Sequence, residues 1–175
     1  CKGGLPMWMS VVSICASLGN NDAMCRLLDA RANVGGTFPT MAMTAFNDNA
    51  QGVHILCQRG YSHNICNVFG FSALRHACSG GSIAAAKRLL HATPDTLSGA
   101  LHAVATATGG STELVELLIE ARADINEPWS LRTRAVRLLC FSLSTQYQLG
   151  RRTPATTLSY HLAGSTPLMM AVMTG

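Results

Sequence analysis

Two His-x-x-Cys pairs lie close together in HILCQRGYSHNIC: His54 with Cys57, and His63 with Cys66. Imidazole and thiolate donors at short spacing are the usual ligands of structural zinc. His76 and Cys78 form a further candidate pair. GGSTE, residues 109–113, could hold a phosphate on the amides of a helix start. It lacks the lysine and the spacing of a phosphate-binding loop. Thr153-Pro154 is a phosphate-accepting dipeptide of a common kind. Serine, histidine and aspartate are present, but no segment has the form of a nucleophile elbow or a zinc-protease helix. Whether any of these residues meet depends on the elements that carry them.

The chain has 175 residues, enough for one domain with its own core. Hydrophobic residues make up 48% and charged residues 13%, which excludes extensive disorder. No apolar run approaches a membrane span, and no secretory signal is present. The first residue is Cys1, which suggests a processed or partial chain. Seven cysteines, with no C-x-x-C among them, sit mostly among apolar or small neighbours. Free buried cysteine acts as a small hydrophobe. This points to a reducing, intracellular compartment, cytoplasm or organelle interior, and away from a secreted disulfide framework. The net charge of +4 is unevenly spread. Between Pro128 and Gly175 there is no Asp or Glu, but there are five arginines: Arg132, Arg134, Arg137, Arg151 and Arg152.

Similar segments recur along the chain. In GGSTELVELLIEARADIN (109–126), Leu114, Val115, Leu117, Leu118 and Ala121 fall on one helical face. Ser111 or Thr112 can cap the start, with Glu113 and Glu116 where the helix dipole favours them. Met24, Leu27, Leu28 and Ala30 hold the same offsets in 19–34, as do Ile83, Ala86, Leu89, Leu90 and Ala92 in 80–95. A weaker copy spans 51–64. Upstream of each lies a shorter helix rich in small residues, at 10–19, 39–48, 72–81 and 101–110, with a fifth at 166–175. Small residues allow close helix approach, and a terminal Gly supplies the turn into the next helix.

The pairs resemble the ankyrin repeat. The resemblance rests on T-P-L-x-x-A at Thr166–Ala171, on the A-x-x-x-G ending of Ala171–Gly175, and on L-L-x-x-x-A-D-I-N from Leu117 to Asn126. It covers most of the chain. It implies a mostly helical solenoid of helix-turn-helix units with short or missing β-hairpin fingers. The inner-helix starts, Ser10, Pro39, Ser72, Leu101 and Thr166, follow the family period of about 33 residues. The last interval is close to two periods and holds either a decayed repeat or an insertion between Glu127 and Ala163. Repeats are expected near 5–35, 36–64, 65–95 and 96–126, with an irregular or decayed repeat at 127–163 and a partial one at 164–175. Within the irregular part, 133–139 suits a decayed inner helix and 143–157 reads as loop. The last inner helix lacks an outer partner, which points to a longer parent chain.

This register separates the four zinc candidates. Cys57 falls at a packing position of an outer helix beside Leu56, and His54 at a more exposed one. His63 follows the helix, and Cys66 lies in the finger. Zinc requires its donors about 2.0–2.3 Å from one point. The expectation is therefore a core cysteine and surface histidines, with no metal or cofactor and no catalysis.

The resemblance implies protein partners, engaged at finger tips and at the exposed side of the inner helices. Finger positions hold Val68, Phe69 and Phe71. Met9 and Phe38 precede the first two inner helices, and Leu18, Phe46 and Asn47 end them. Four of the five phenylalanines thus take partner-facing slots, where aromatics commonly anchor interfaces. Arg132, Arg134, Arg137, Arg151 and Arg152 form a second candidate surface, suited by their planar forks to an acidic protein patch. The reading is a non-catalytic scaffold or assembly subunit, with membrane association of that assembly as one form. The alternatives are an ankyrin module of a larger enzyme or metal-stabilised protein, and a weak nucleic-acid binder.

Overall fold

The computed structural model describes residues 9–34, 39–62, 66–67, 70–92, 97–107, 110–131 and 133–174, together with all but the side chain of Ala135. Eleven helices and no strands occur among the described residues. Four short inner helices alternate with four outer ones: α1 (Val11–Ser17), α2 (Asn21–Asp29), α3 (Thr40–Phe46), α4 (Ala50–Gln58), α5 (Ala73–Gly80), α6 (Ile83–Ala92), α7 (Ala100–Thr106) and α8 (Thr112–Glu120). Then come α9 (Arg134–Gln148), α10 (Pro154–Leu162) and α11 (Pro167–Thr174).

Local chemistry sets the boundaries of each pair. The Ser10, Ser72 and Ser111 hydroxyls accept from the amides of Ser13, Arg75 and Leu114, and Asn20 and Asn49 do the same for α2 and α4. Gly19 and Gly81 make the inner-to-outer turn with φ near +70°. Asp48 holds the equivalent place in the second pair at φ 54°. Its carboxylate accepts from the Ala85 amide at 2.8 Å, so it also caps the start of α6.

The helices form two layers. The inner layer runs α1, α3, α5, α7 and then α11, each packed on the one before, while α2, α4, α6 and α8 form the outer layer behind them. Between the layers lies one core. The outer helices give it pairs four residues apart, Met24 with Leu28, Ala85 with Leu89 and Leu114 with Leu118, all buried. Burial of each large member contributes about 1.5–3 kcal/mol. In α4 the equivalent pair is Gly52 with Leu56. A Cβ at residue 52 would meet Thr44 at 2.7 Å, so the glycine lets α4 close on α3. Hydrogen bonds cross between pairs: Asn49 Nδ2 donates to the Ala16 carbonyl at 2.8 Å, and Ser82 Oγ to that of Phe46 at 2.7 Å.

Residues 127–163 correct the sequence reading in two respects. Residues 143–157, expected as loop, are mostly helical, since α9 continues to Gln148 and α10 starts at Pro154 under a Thr153 capping box. The helix at 133–139 does not take the place of an inner helix. α11 packs on α7 instead, and α9 packs on α10 as an antiparallel hairpin. The two-period interval therefore holds an insertion, an arm that leaves the stack after Trp129 and returns at Gly164. Its stem is closed by the Trp129 amide donating to the Ser165 carbonyl at 2.8 Å and by the Gly164 amide donating to that of Trp129 at 3.2 Å.

Candidate partner-binding site

The candidate residues divide between the edge of the stack and the arm. Leu18 follows α1 directly and is 78% exposed, and Phe46 at the end of α3 is 42% exposed. Asn47 beside it is exposed, and its amide turns back to the Met43 carbonyl. Met9, ahead of α1, is half-buried. Phe38, Val68, Phe69 and Arg132 lie outside the described residues.

Phe71 is placed differently from the expectation of a solvent-facing ring. It is half-buried, and its ring lies against the Arg75 guanidinium at 3.9 Å, as does that of Trp129 at 4.1 Å, the two rings standing edge-on to each other with centroids 6.4 Å apart. Arg75 is almost fully buried against these two rings. The cation–π contacts offset part of the cost of taking that charge out of water. Gly99 beside it takes a φ of +75° that favours glycine, and a Cβ there would crowd the guanidinium at 3.0 Å. Trp129 further stands edge-on to His102, whose Nε2 faces the Ser165 carbonyl at 2.9 Å. Glu127 accepts from the Gly99 amide at 2.8 Å and from the Ser98 hydroxyl, fixing the start of α7. The finger of the third pair, the start of the fourth and the stem of the arm are thus joined around one arginine.

Arg75 had no part in the sequence reading, yet a signal for it was present. S-A-L-R at 72–75 and G-A-L-H at 99–102 occupy the slots of T-P-L-M at 166–169, with Ser72 and Gly99 as the caps of α5 and α7. The fourth slot faces the next finger, so Arg75 and His102 do the same structural work with different side chains.

Among the described residues, no three His, Cys, Asp or Glu side chains gather as a metal site would need. His54 hydrogen-bonds Arg88 of α6, Cys57 packs half-buried against the core, and Cys66 is exposed in the finger. His63 lies outside the described residues. His76 is bonded to Asn67 at 3.1 Å and is pushed down to about 4 by burial and by the Arg75 charge. Burial drives the Cys78 thiol up to about 12, which removes it as a nucleophile at neutral pH.

Arg134 and Arg137 share one face of α9, and Arg151 and Arg152 lie in the turn between the arm's helices, all four exposed. Arg152 reaches over the Tyr147 ring, which stacks on Tyr160 with centroids 4.5 Å apart. Ser144 donates to the Ser159 carbonyl at 3.1 Å, and Cys140 is buried at the α9–α10 contact. The outer face of α9 remains uncovered: Leu138 is 70% and Phe141 73% exposed. No described helix is long and apolar enough to cross a membrane.

No curated protein matches the chain. A family model described as ankyrin repeats, in three copies, matches residues 40–129, just over half of the sequence. That span runs from the start of α3 to the Trp129 stem, so it covers three of the stacked helix pairs and stops where the arm departs. With this match on paired helices in two layers, the chain belongs to the ankyrin repeat family.

Proposed function

We propose that this protein is a non-catalytic binding scaffold, an assembly subunit that holds a protein partner along the exposed ends of its inner helices and through the arginines of the arm. Ankyrin repeats are generally protein–protein interaction modules, and the stack described above has their form. The observation that carries the reading is the pair Leu18 and Phe46. Large apolar side chains end two neighbouring inner helices, facing solvent, where the core does not need them. Burying each in an interface would contribute about 1.5–3 kcal/mol. Asn47 borders this edge beside Phe46, and Met9 and Phe71, which precede the inner helices α1 and α5, are included in the proposed surface together with Phe38, Val68 and Phe69. Arg132, Arg134, Arg137, Arg151 and Arg152 would orient an acidic region of the partner. A stack that is already ordered lowers the entropy lost on binding. Cys15, Cys25, Cys57, Cys78 and Cys140 are free, which supports a reducing compartment.

The chain has only two lysines, Lys2 and Lys87, so amine cross-linkers would report on little of it. A photo-reactive residue at position 18 or 46 tests the edge directly in the complex isolated from its source. The expected result is capture of one stoichiometric partner, reduced at least tenfold by Leu18→Asp with Phe46→Asp. Capture of many unrelated proteins, or of none, would overturn the reading.

A further inference from the structure

The arm has a surface that the helix-pair stack does not use. Its two helices pack on each other and make no other extensive helix contact. On one side they leave a groove of about 540 Å³. Leu131, Leu138 and Phe141 form its apolar walls, and its floor is set by small residues such as Ser144 and Ser159. Arg134 and Arg137 stand at its rim.

Charge identifies the kind of occupant. The sequence from Pro128 to Gly175 has no Asp or Glu, so the arm holds no carboxylate for its arginines. Neither Arg134 nor Arg137 forms an ion pair among the described residues. Both lie in the first turns of α9, where the partial positive charge of the helix end disfavours a cation. No acidic residue in that turn relieves it. An incoming carboxylate would satisfy both guanidinium groups and that helix end together, through planar two-point hydrogen bonds. Elsewhere this chain joins neighbouring helices by single cation–carboxylate pairs, Lys87 with Glu113 at 2.9 Å and Arg59 with Asp29 at 2.6 Å.

Shape narrows it further. A cleft between two helices with apolar walls and a floor of small residues is the seat of a third helix, which lays a stripe of residues three and four apart into it. The 15-residue α9 offers a track of about 22 Å, roughly four turns. A second arm from another copy would bring the same arginines with no carboxylate, so like charges oppose arm-to-arm pairing.

We infer that the α9–α10 arm is a docking site for an acidic amphipathic helix of a partner protein, which completes a three-helix bundle with Leu138 and Phe141 beneath it and its carboxylates on Arg134 and Arg137. This rests on the protein-binding reading above and gives one part of that surface a specific ligand class.

Selection from a displayed library of helical peptides on the full chain tests it. Every recovered clone is then measured on three variants: Arg134→Glu with Arg137→Glu, Phe141→Ala, and Leu18→Asp with Phe46→Asp. The substituted side chains are exposed, and circular dichroism confirms that each variant keeps its helices. The expected clones carry Asp or Glu beside an apolar stripe. They lose at least tenfold in affinity on each of the two arm variants, keep it on the edge variant, and weaken as salt rises. Clones that bind the arm variants as well as the parent but fail on the edge variant would sink the arm proposal and leave the scaffold reading standing. Recovery of basic or uncharged helices, or of no clone, would also overturn it. So would arm-dependent binding to anionic lipid vesicles in the absence of any acidic helix.

Discussion

Gly80 illustrates how a single residue can invert a general rule. Inside a helix, Gly→Ala normally stabilises by about 0.5–1 kcal/mol. Gly80 closes α5 with a Cβ position only 2.3 Å from the Phe46 carbonyl oxygen, a backbone atom of the previous pair. Gly80→Ala is expected to cost about 2 kcal/mol, in the range of other overpacked contacts, as read from urea unfolding. Gly60, with φ +78° and nothing within 4 Å, should lose only the roughly 1 kcal/mol of left-handed backbone strain on the same substitution. His76 has a different sensitivity. Its folded pKa of about 4, set by burial and by Arg75, lies below the usual value of about 6.5. Between these values the unfolded chain takes up a proton that the folded chain does not. Its contribution is complete above pH 6.5 and declines as pH falls towards 4, by up to about 3 kcal/mol. Unfolding midpoints measured from pH 7 to 4.5 should show this slope, and His76→Gln should flatten it. An equal slope in the variant would place the titration elsewhere.

At the scale of elements, the arm is held by its stem. Trp129 contributes a ring to Arg75, an edge to His102 and two backbone hydrogen bonds to the returning strand of chain at Gly164 and Ser165. Trp129→Ala should therefore destabilise the protein by about 3 kcal/mol, the usual order for a large aromatic removed from a packed site. Amide exchange at Gly164 and Ser165 should accelerate with it. Phe141→Ala, on the uncovered face of α9, should change stability by less than about 0.5 kcal/mol. If the two substitutions proved equal in cost, the stem would not be what anchors the arm. The outer helices behave more uniformly, because each buries the same two positions one turn apart, and the Asp48 cap ties α6 to the preceding turn.

For the whole molecule, connection between neighbours governs stability. Each helix pair touches the next, and the stack is continuous from α1 to α7 and on to α11 without the arm. Replacing residues 131–163 by a two-glycine turn should leave a cooperative unfolding transition, with stability altered by less than about 1 kcal/mol. The chain ends to be joined are already hydrogen-bonded, and a shorter loop costs less to close. The same excision should abolish binding of acidic helices if the arm is their seat. Loss of the cooperative transition would mean that α9 and α10 hold the stack together.

The periodic apolar residues determined the helix pairs, because a helix face must be buried wherever the sequence repeats it, and Leu28, Leu89, Leu114 and Leu118 are in the core as their spacing required. Turn residues gave the starts of the inner helices within a residue or two, since caps act over three or four positions of chain. The exposed ends at Leu18 and Phe46 were legible for the same reason, being fixed by register alone. What lies between repeats was not. Residues 133–139 have the spacing of an inner helix, and only the contact of α11 with α7 reveals that the place is already filled and that α9 pairs with α10. Phe71 and Trp129 are far apart in sequence, and nothing local to either announces a shared arginine. Periodicity records which face of a helix is buried, and the partner that buries it is chosen by the three-dimensional stack.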